Sequence, residues 1–512
     1  VKAHVNDAKL SDLAGLDIDL TKGHLDINVG LKEVTVTGTA LLNGEESRLN
    51  LVQNLSEQKL GLKVTTDVTP TSLEKLWHEA PTFFKGSAPL DLHYQMNKNG
   101  SGSLDLNLDL KNSELNTLVM TKPTGLPGHL TFKGTYKNSV LTHIKTLNFT
   151  DDHGWKITGH GHFSPTTKNL QDLRLACTHD GENILSAYYS PYKHGERFLD
   201  IKAQHLDIKN FMDTDLSNLS DPQHLKDHPP DASPLTIKLT ANKVTTGRVI
   251  GLLNNALKMR LEKGLIQSLT YTGLTEEAIG ENREVFAEIY KKKSGLRKLR
   301  IQTEQGGAFL RTLDVFENIR GGQLKLVAYH DPSFRKEEWV GKIRVRDFIL
   351  LQAPLITRVF SLFPTGGTEL TSDNGIRFKL MKVRFGASPK HFTVHASRAH
   401  GISIGFSLAG EIERGEKGRL NLQAKMIPIY VLNTLVSKIP FIGEIISGGK
   451  NEGLFSVTFG VTGTKDKPDV TANPLSIITP GITRNIFPSA DTSLTREDGW
   501  IDDADQSNDV FD

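Results

Sequence analysis

Strict alternation of apolar and polar residues recurs along almost the whole chain, and it limits the possible folds more than any other feature. Leu104-Asp-Leu106-Asn-Leu108-Asp-Leu110 is the cleanest copy. Leu16-Asp-Ile18-Asp-Leu20, Leu25-Asp-Ile27-Asn-Val29 and Leu454-Phe-Ser-Val457-Thr-Phe459-Gly-Val461 repeat it. Side chains of a strand point to opposite faces with period two, so each such segment builds one apolar and one polar face. Asn43-Gly44, Lys98-Asn-Gly100 and Asp180-Gly181 are turn signals between them. The expected class is mostly β: a long antiparallel sheet curled into a groove, apolar within and polar without, with short amphipathic helices near the C-terminus.

Composition removes several alternatives. A chain of 512 residues that is 37% hydrophobic, with a mean hydropathy of −0.31 and no apolar run of roughly eighteen residues, is not a multi-span helical membrane protein. Its 61 basic and 59 acidic residues give a net charge of +2, so nothing global points to nucleic acid. The lone Cys177 has no disulfide partner and belongs to no cysteine metal motif, which suits the cytosol or a bacterial envelope. Strand-like sequence begins at Val1, and an upstream stretch carrying any signal peptide or membrane anchor is expected to precede it.

Four regions are expected. Residues 1–212 read as a β-groove segment, interrupted by one short helix in which Thr71-Ser-Leu-Glu74 has capping-box spacing and Leu73, Leu76 and Trp77 share a face. Residues 213–234, with Pro222, Pro229, Pro230 and Pro234, read as a linker or excursion loop. Over 235–487 strands are punctuated by helical pieces at 309–316, 350–363, 429–446 and 475–487. In the third of these, Ile429, Leu432, Leu435, Val436 and Ile439 fall at helical spacing, and Pro440 and Gly443 divide it into a hairpin that includes Phe441. This is a candidate membrane or partner contact, or a cap on the sheet edge. Residues 488–512 are acidic and polar, the composition of a disordered tail.

Motifs that carry chemistry are weak. Gly401-Ile-Ser403-Ile-Gly405 matches a hydrolase elbow in letters, but the alternation that follows makes Ser403 a polar strand residue. Gly448-Gly449-Lys450 lacks the upstream glycine spacing of a phosphate loop, and Asn451 stands where a Ser or Thr would hold magnesium. His160 and His162, with His153 nearby, share a strand face without an identifiable third ligand; His391 and His395 are spaced alike. Lys291-Lys-Lys293 with Arg297, Lys298 and Arg300 is the one basic run, read as a solvated loop, with anionic head groups as the alternative. No catalytic, metal or cofactor set survives, so the expected protein is not an enzyme.

From about residue 305 a family resemblance enters. The segments are Arg311-Thr-Leu-Asp-Val-Phe-Glu-Asn-Ile-Arg-Gly-Gly322, Arg346-Asp-Phe-Ile-Leu-Leu-Gln-Ala-Pro354, Ile429-Tyr-Val-Leu-Asn-Thr-Leu435 and Ile439-Pro-Phe-Ile-Gly443. Gly453-Leu-Phe-Ser-Val457, Val461-Thr-Gly-Thr464, Pro468-Asp-Val470 and Asn473-Pro-Leu-Ser476 leading to Pro480-Gly481 complete the series. In this order they resemble the AsmA-like C-terminal region of the YhdP/TamB-type bacterial envelope proteins. The resemblance implies a periplasmic protein anchored to the inner membrane by a helix upstream of this chain. It also implies phospholipid as cargo, carried between inner and outer membranes along an apolar β-groove in support of outer-membrane assembly.

Elementary energetics agree with such a role. At about 0.8 kcal/mol per methylene, withdrawing a two-chain lipid from a bilayer costs on the order of 20 kcal/mol, so a route through water must offer continuous apolar surface. The expected groove lining is Leu104, Leu106, Leu108 and Leu110, with Leu454, Val457, Phe459 and Val461 further on. The competing expectation is a structural or adhesive β-repeat envelope protein with a closed core. A transmembrane β-barrel is disfavoured, because aromatics total 7% and do not bracket the strands.

Overall fold

The computed structural model describes residues 1–11, 18–77, 81, 83–117, 120–138, 140–167, 169–193, 196–209, 233–262, 265–277, 282–313, 315–330, 339–351, 375–388, 390–401, 404–414, 418–428, 457–464 and 467–472. The chain is mostly β. Among the described residues 26 strands join largely antiparallel ladders, and Phe84–Gly86, Ser113–Asn116 and Thr121–Lys122 form a separate small sheet. Two helices are short, and no described helix is long and apolar enough to cross a membrane.

Two units divide the chain. Val1–Phe211, Asp231–Gly247 and Asn254–Lys263 make the first; Met212–Pro230, Arg248–Leu253 and Gly264–Asp512 make the second.

The first unit is a meander whose turns follow local chemistry. Asn43 (φ 49°) and Gly44 (φ 95°) join Leu42 to Glu45, and Asp180 (φ 49°) with Gly181 (φ 86°) joins His179 to Glu182. Both are two-residue loops with left-handed central residues, the geometry that matches strand twist and selects Asn-Gly and Asp-Gly. One ladder departs from the expected antiparallel pattern: Glu196–Asp207 and Leu235–Thr245 run parallel, from Arg197 opposite Leu235 to Asp207 opposite Thr245. A parallel pair needs a long return connection. Residues 208–234 separate the two strands in sequence, and 210–232 of them, most of the expected linker, lie outside the described residues.

The helix Pro70–Trp77 starts earlier than the Thr71/Glu74 spacing suggests. Thr69 is the cap: its Oγ1 accepts from Ser72 N at 3.2 Å, and Ser72 Oγ accepts from Thr69 N at 2.9 Å. Pro70 dictates this, because proline suits the first helical position, where no N–H is needed. The helix expected at 309–316 is Gly306–Thr312. Val315 and Phe316 lie beyond it, exposed. Gly306 and Gly307 bring it close to the sheet: a Cβ on Gly306 would lie 2.7 Å from Leu324 Cβ, and one on Gly307 2.8 Å from the Ile319 carbonyl oxygen. Ala308 and Phe309 are thereby buried.

Candidate functional site

In the first unit the alternating segments fall into register, so that their apolar positions line up across the strands. One row runs Leu25, Gly38, Leu49, Val64, Leu92, Leu106, Phe132, Leu147, Gly159, Leu175, Ala187, Ile201, Leu239, each directly opposite the next. A second runs Leu90, Leu108, Leu130, Phe149, Ile157, Cys177, Leu185, Ala203, Ala241. On the other side of the first, Tyr94, Leu104, Gly134, Ile144, Gly161, Leu173, Tyr189, Leu199 and Ile237 make a third. At about 4.8 Å per ladder step, the longest row extends on the order of 60 Å within this unit.

Burial along these rows is uneven. Every non-glycine member of the first row from Leu92 to Leu239 is only half-buried. Leu104 and Leu110 are buried, at 8% and 3% exposure, whereas Leu106 and Leu108 are half-buried. Asp105, Asn107 and Asp109 are exposed on the opposite face, as period two requires. Leu110 and Leu108 belong to a cluster with Phe84, Leu115 and Met120, so the small sheet covers that end of the strands; Leu73 of the helix joins the same cluster. Leu104 packs with Tyr94 and Tyr136, whose rings meet edge-to-face at 5.7 Å. Burial raises the hydroxyl pKa of both tyrosines.

The second unit has its own aligned row: Leu269, Ile289, Leu299, Ala328, Gly341, Phe385, Val394, Gly410, Leu422, Val461 and Val470. Here part of the apolar face is packed, while the neighbouring row Tyr271, Ala287, Ile301, Leu326, Ile343 and Val383 is half-buried as in the first unit. Phe459 and Val461 are buried in a cluster with Leu324, Val345, Phe348 and Phe378, of which Val345 has no exposed surface. Val457 opens the strand Val457–Gly463 opposite Met426. Leu454 lies outside the described residues, as do Ile429, Leu432, Leu435, Val436, Ile439 and Phe441 of the expected contact helix. The pieces at 352–363 and 475–487, Gly448 to Asn451 and the tail 488–512 lie outside them too.

The remaining motifs resolve into local structure. Ser403 is not among the described residues; on either side of it His391–Gly401 and Ile404–Glu413 pair antiparallel, with His400 opposite Gly405. His162 Nδ1 lies 2.8 Å from Asp172 Oδ2 and meets the His143 ring edge-on at 5.0 Å, whereas His160 stands opposite Arg174. Among the described residues no group of three His, Cys, Asp or Glu is placed to hold a metal ion. The basic run is not a solvated loop throughout. Arg297, Lys298 and Arg300 lie in the strand Arg297–Thr303, with Arg297 and Lys298 buried. Arg297 Nη2 bonds His330 Nδ1 at 2.8 Å and its guanidinium carbon lies over the Trp339 ring, 5.9 Å from the centroid; Arg300 pairs with Glu288 at 2.7 Å. Aromatic faces and a cross-strand carboxylate accommodate the cations there.

The aligned register is a non-local property that the alternation alone does not specify, because bulges reset it. Asp7 and Lys22 have left-handed φ beside register shifts; aspartate visits that region more readily than most residues, but nothing in the residue type marks Lys22 as a bulge. No protein-family model matches this sequence, and no curated protein is significantly similar to it.

Proposed function

We propose that this chain is a non-enzymatic lipid carrier of the bacterial envelope, whose first unit shelters acyl chains along its aligned apolar face. The observation that carries this reading is the half-burial of the row from Leu92 to Leu239. A soluble chain that leaves a contiguous apolar band partly exposed across many strands offers a binding surface, because single scattered apolar residues do not build such bands. Acyl chains are uniform along their length, so a uniform strip suits them better than a pocket with placed polar groups. The resemblance of the segments from Arg311 to Pro480 to AsmA-like envelope proteins supports the same reading, with phospholipid as cargo and transport between inner and outer membranes as the role.

One observation favours the closed-core alternative locally: the packed cluster around Val345 and Phe348 in the second unit. Lipid contact is therefore assigned to the half-buried rows, longest in the first unit, and a structural role to the packed cluster of the second. The test is a photoreactive residue at position 106 and, in parallel, at 105. Phospholipid captured at 106 and not at 105 supports the proposal; equal capture, or none at either, overturns it.

A further inference from the structure

We propose that the polar face of the second unit docks on an anionic bilayer surface through an array of cations held in register on four consecutive strands. Ile319–His330, Trp339–Leu350, Ile376–Ala387 and His391–Gly401 carry two, three, four and one Lys or Arg respectively, against a single carboxylate, Asp347. Pairing places these charges together. Lys325 stands opposite Arg344, Arg344 opposite Lys382, and Lys382 opposite Arg398. Lys342 stands opposite Arg384 in the next row. Lys325, Arg344, Lys382, Arg384 and Arg398 are all exposed. Among the described residues no ion pair involves Lys325, Arg344, Lys382 or Arg384.

Like charges directly opposite on a sheet destabilise it, so the array opposes the fold that displays it. The corresponding row of the first unit does not do this: Asp26, Thr37, Asn50, Lys63, His93, Asp105 and Lys133 follow one another with mixed sign. With a net charge of only +2 over the chain, the array is a local concentration and not a reflection of composition.

Chemistry selects the partner. A specific protein interface needs an apolar, desolvated centre, and the central rows from Lys325 to Arg398 and from Val327 to Ala396 offer only Val327 and Ala396, with the half-buried Leu380 at their margin between Arg346 and His400. A single-stranded nucleic acid is gripped by aromatic rings between the cations, and these two rows hold none. A fluid anionic lipid surface needs neither. Long, flexible cations spread in two directions find mobile phosphate groups without shape complementarity, each worth about a fivefold gain in partitioning. The inference does not rest on the apolar face carrying lipid.

The test is sedimentation of the full chain with phosphatidylcholine vesicles, with and without phosphatidylglycerol, at low and high salt. Binding that requires phosphatidylglycerol and weakens with salt is expected. K325Q/R344Q/K382Q should lose affinity on the order of 100-fold, whereas K325R/K382R and the first-unit control K63Q/K133Q should retain it. Circular dichroism establishes that each variant is folded. Equal binding to both vesicle types, indifference to the triple substitution, or binding of polyphosphate or an oligonucleotide without vesicle binding would overturn the proposal. L106D, which should abolish lipid carriage, should leave vesicle docking intact, so the two readings fail separately.

Discussion

Arg344 faces Lys382 directly across an antiparallel ladder, cation opposite cation on an exposed face. Removing one of them relieves a repulsion, so R344Q is expected to raise stability by about 0.2–1 kcal/mol at low salt. The gain should shrink at high salt as the Debye length falls. Urea midpoints at two ionic strengths check this; a loss of stability at low salt would contradict the geometry.

Lys122 is fully buried, and its ammonium donates to the Ser113 carbonyl at 2.8 Å and the Pro123 carbonyl at 3.2 Å. K122M deprives both carbonyls of their donor and should cost about 1–3 kcal/mol. Burial holds the Lys122 pKa below the ordinary lysine range, and Asp151 and Asp109 oppose that shift. Between the lowered folded value and the ordinary unfolded one, the unfolded chain binds more protons, so this group's contribution to stability rises with pH. Denaturation series in the alkaline range should show that rise in the native protein and not in K122M.

Leu106 and Leu108 are half-buried on the apolar face, while Asp105 and Asn107 are exposed on the other. L106D and L108D should abolish phospholipid retained through purification, as read by mass spectrometry of the extracted protein. D105S and N107S should leave it within twofold. Equal effects on both faces would remove the strip from the lipid-carrying reading.

Cys177 is 2% exposed, and burial pushes its thiol up to about 11. The thiolate is the reactive form, so a maleimide near neutral pH should label the native protein only through opening of the first unit. Labelling should be slow in buffer and rapid in denaturant. Fast labelling of the folded chain would place this residue of the second apolar row in contact with solvent.

Gly322 has φ 89°, and a Cβ there would lie 2.9 Å from Phe348 Cβ and 3.0 Å from Val345 Cγ1. G322A is expected to destabilise by more than about 1 kcal/mol, since backbone strain and a clash with packed neighbours add. Thermal unfolding checks the sign. Asp347 on the neighbouring strand is also left-handed, at φ 50°, and D347G should be neutral or stabilising.

The class of fold was legible because period two is local: Leu104 to Leu110 specify their own faces whatever lies beside them. Turn chemistry at Asn43-Gly44 and Asp180-Gly181 was legible for the same reason. Alignment is non-local. That Leu106 meets Leu92 on one side and Phe132 on the other depends on hairpin lengths and bulges set elsewhere. The cation row was hidden likewise, since Lys325, Arg344, Lys382 and Arg398 are far apart in sequence and form no run. Conversely, Lys291 to Arg300 form a run but are split between two strands and the turn joining them, with Arg297 and Lys298 buried.

The parallel join of Glu196–Asp207 to Leu235–Thr245 changes how this architecture can grow. A meander lengthened by whole hairpins always exits at the same rim, so its strand number can change only by twos. A single same-direction step shifts that parity. Beyond it, the next reversal of the chain falls at the rim opposite to the one an unbroken meander would use, and an odd number of strands fits without inverting any face.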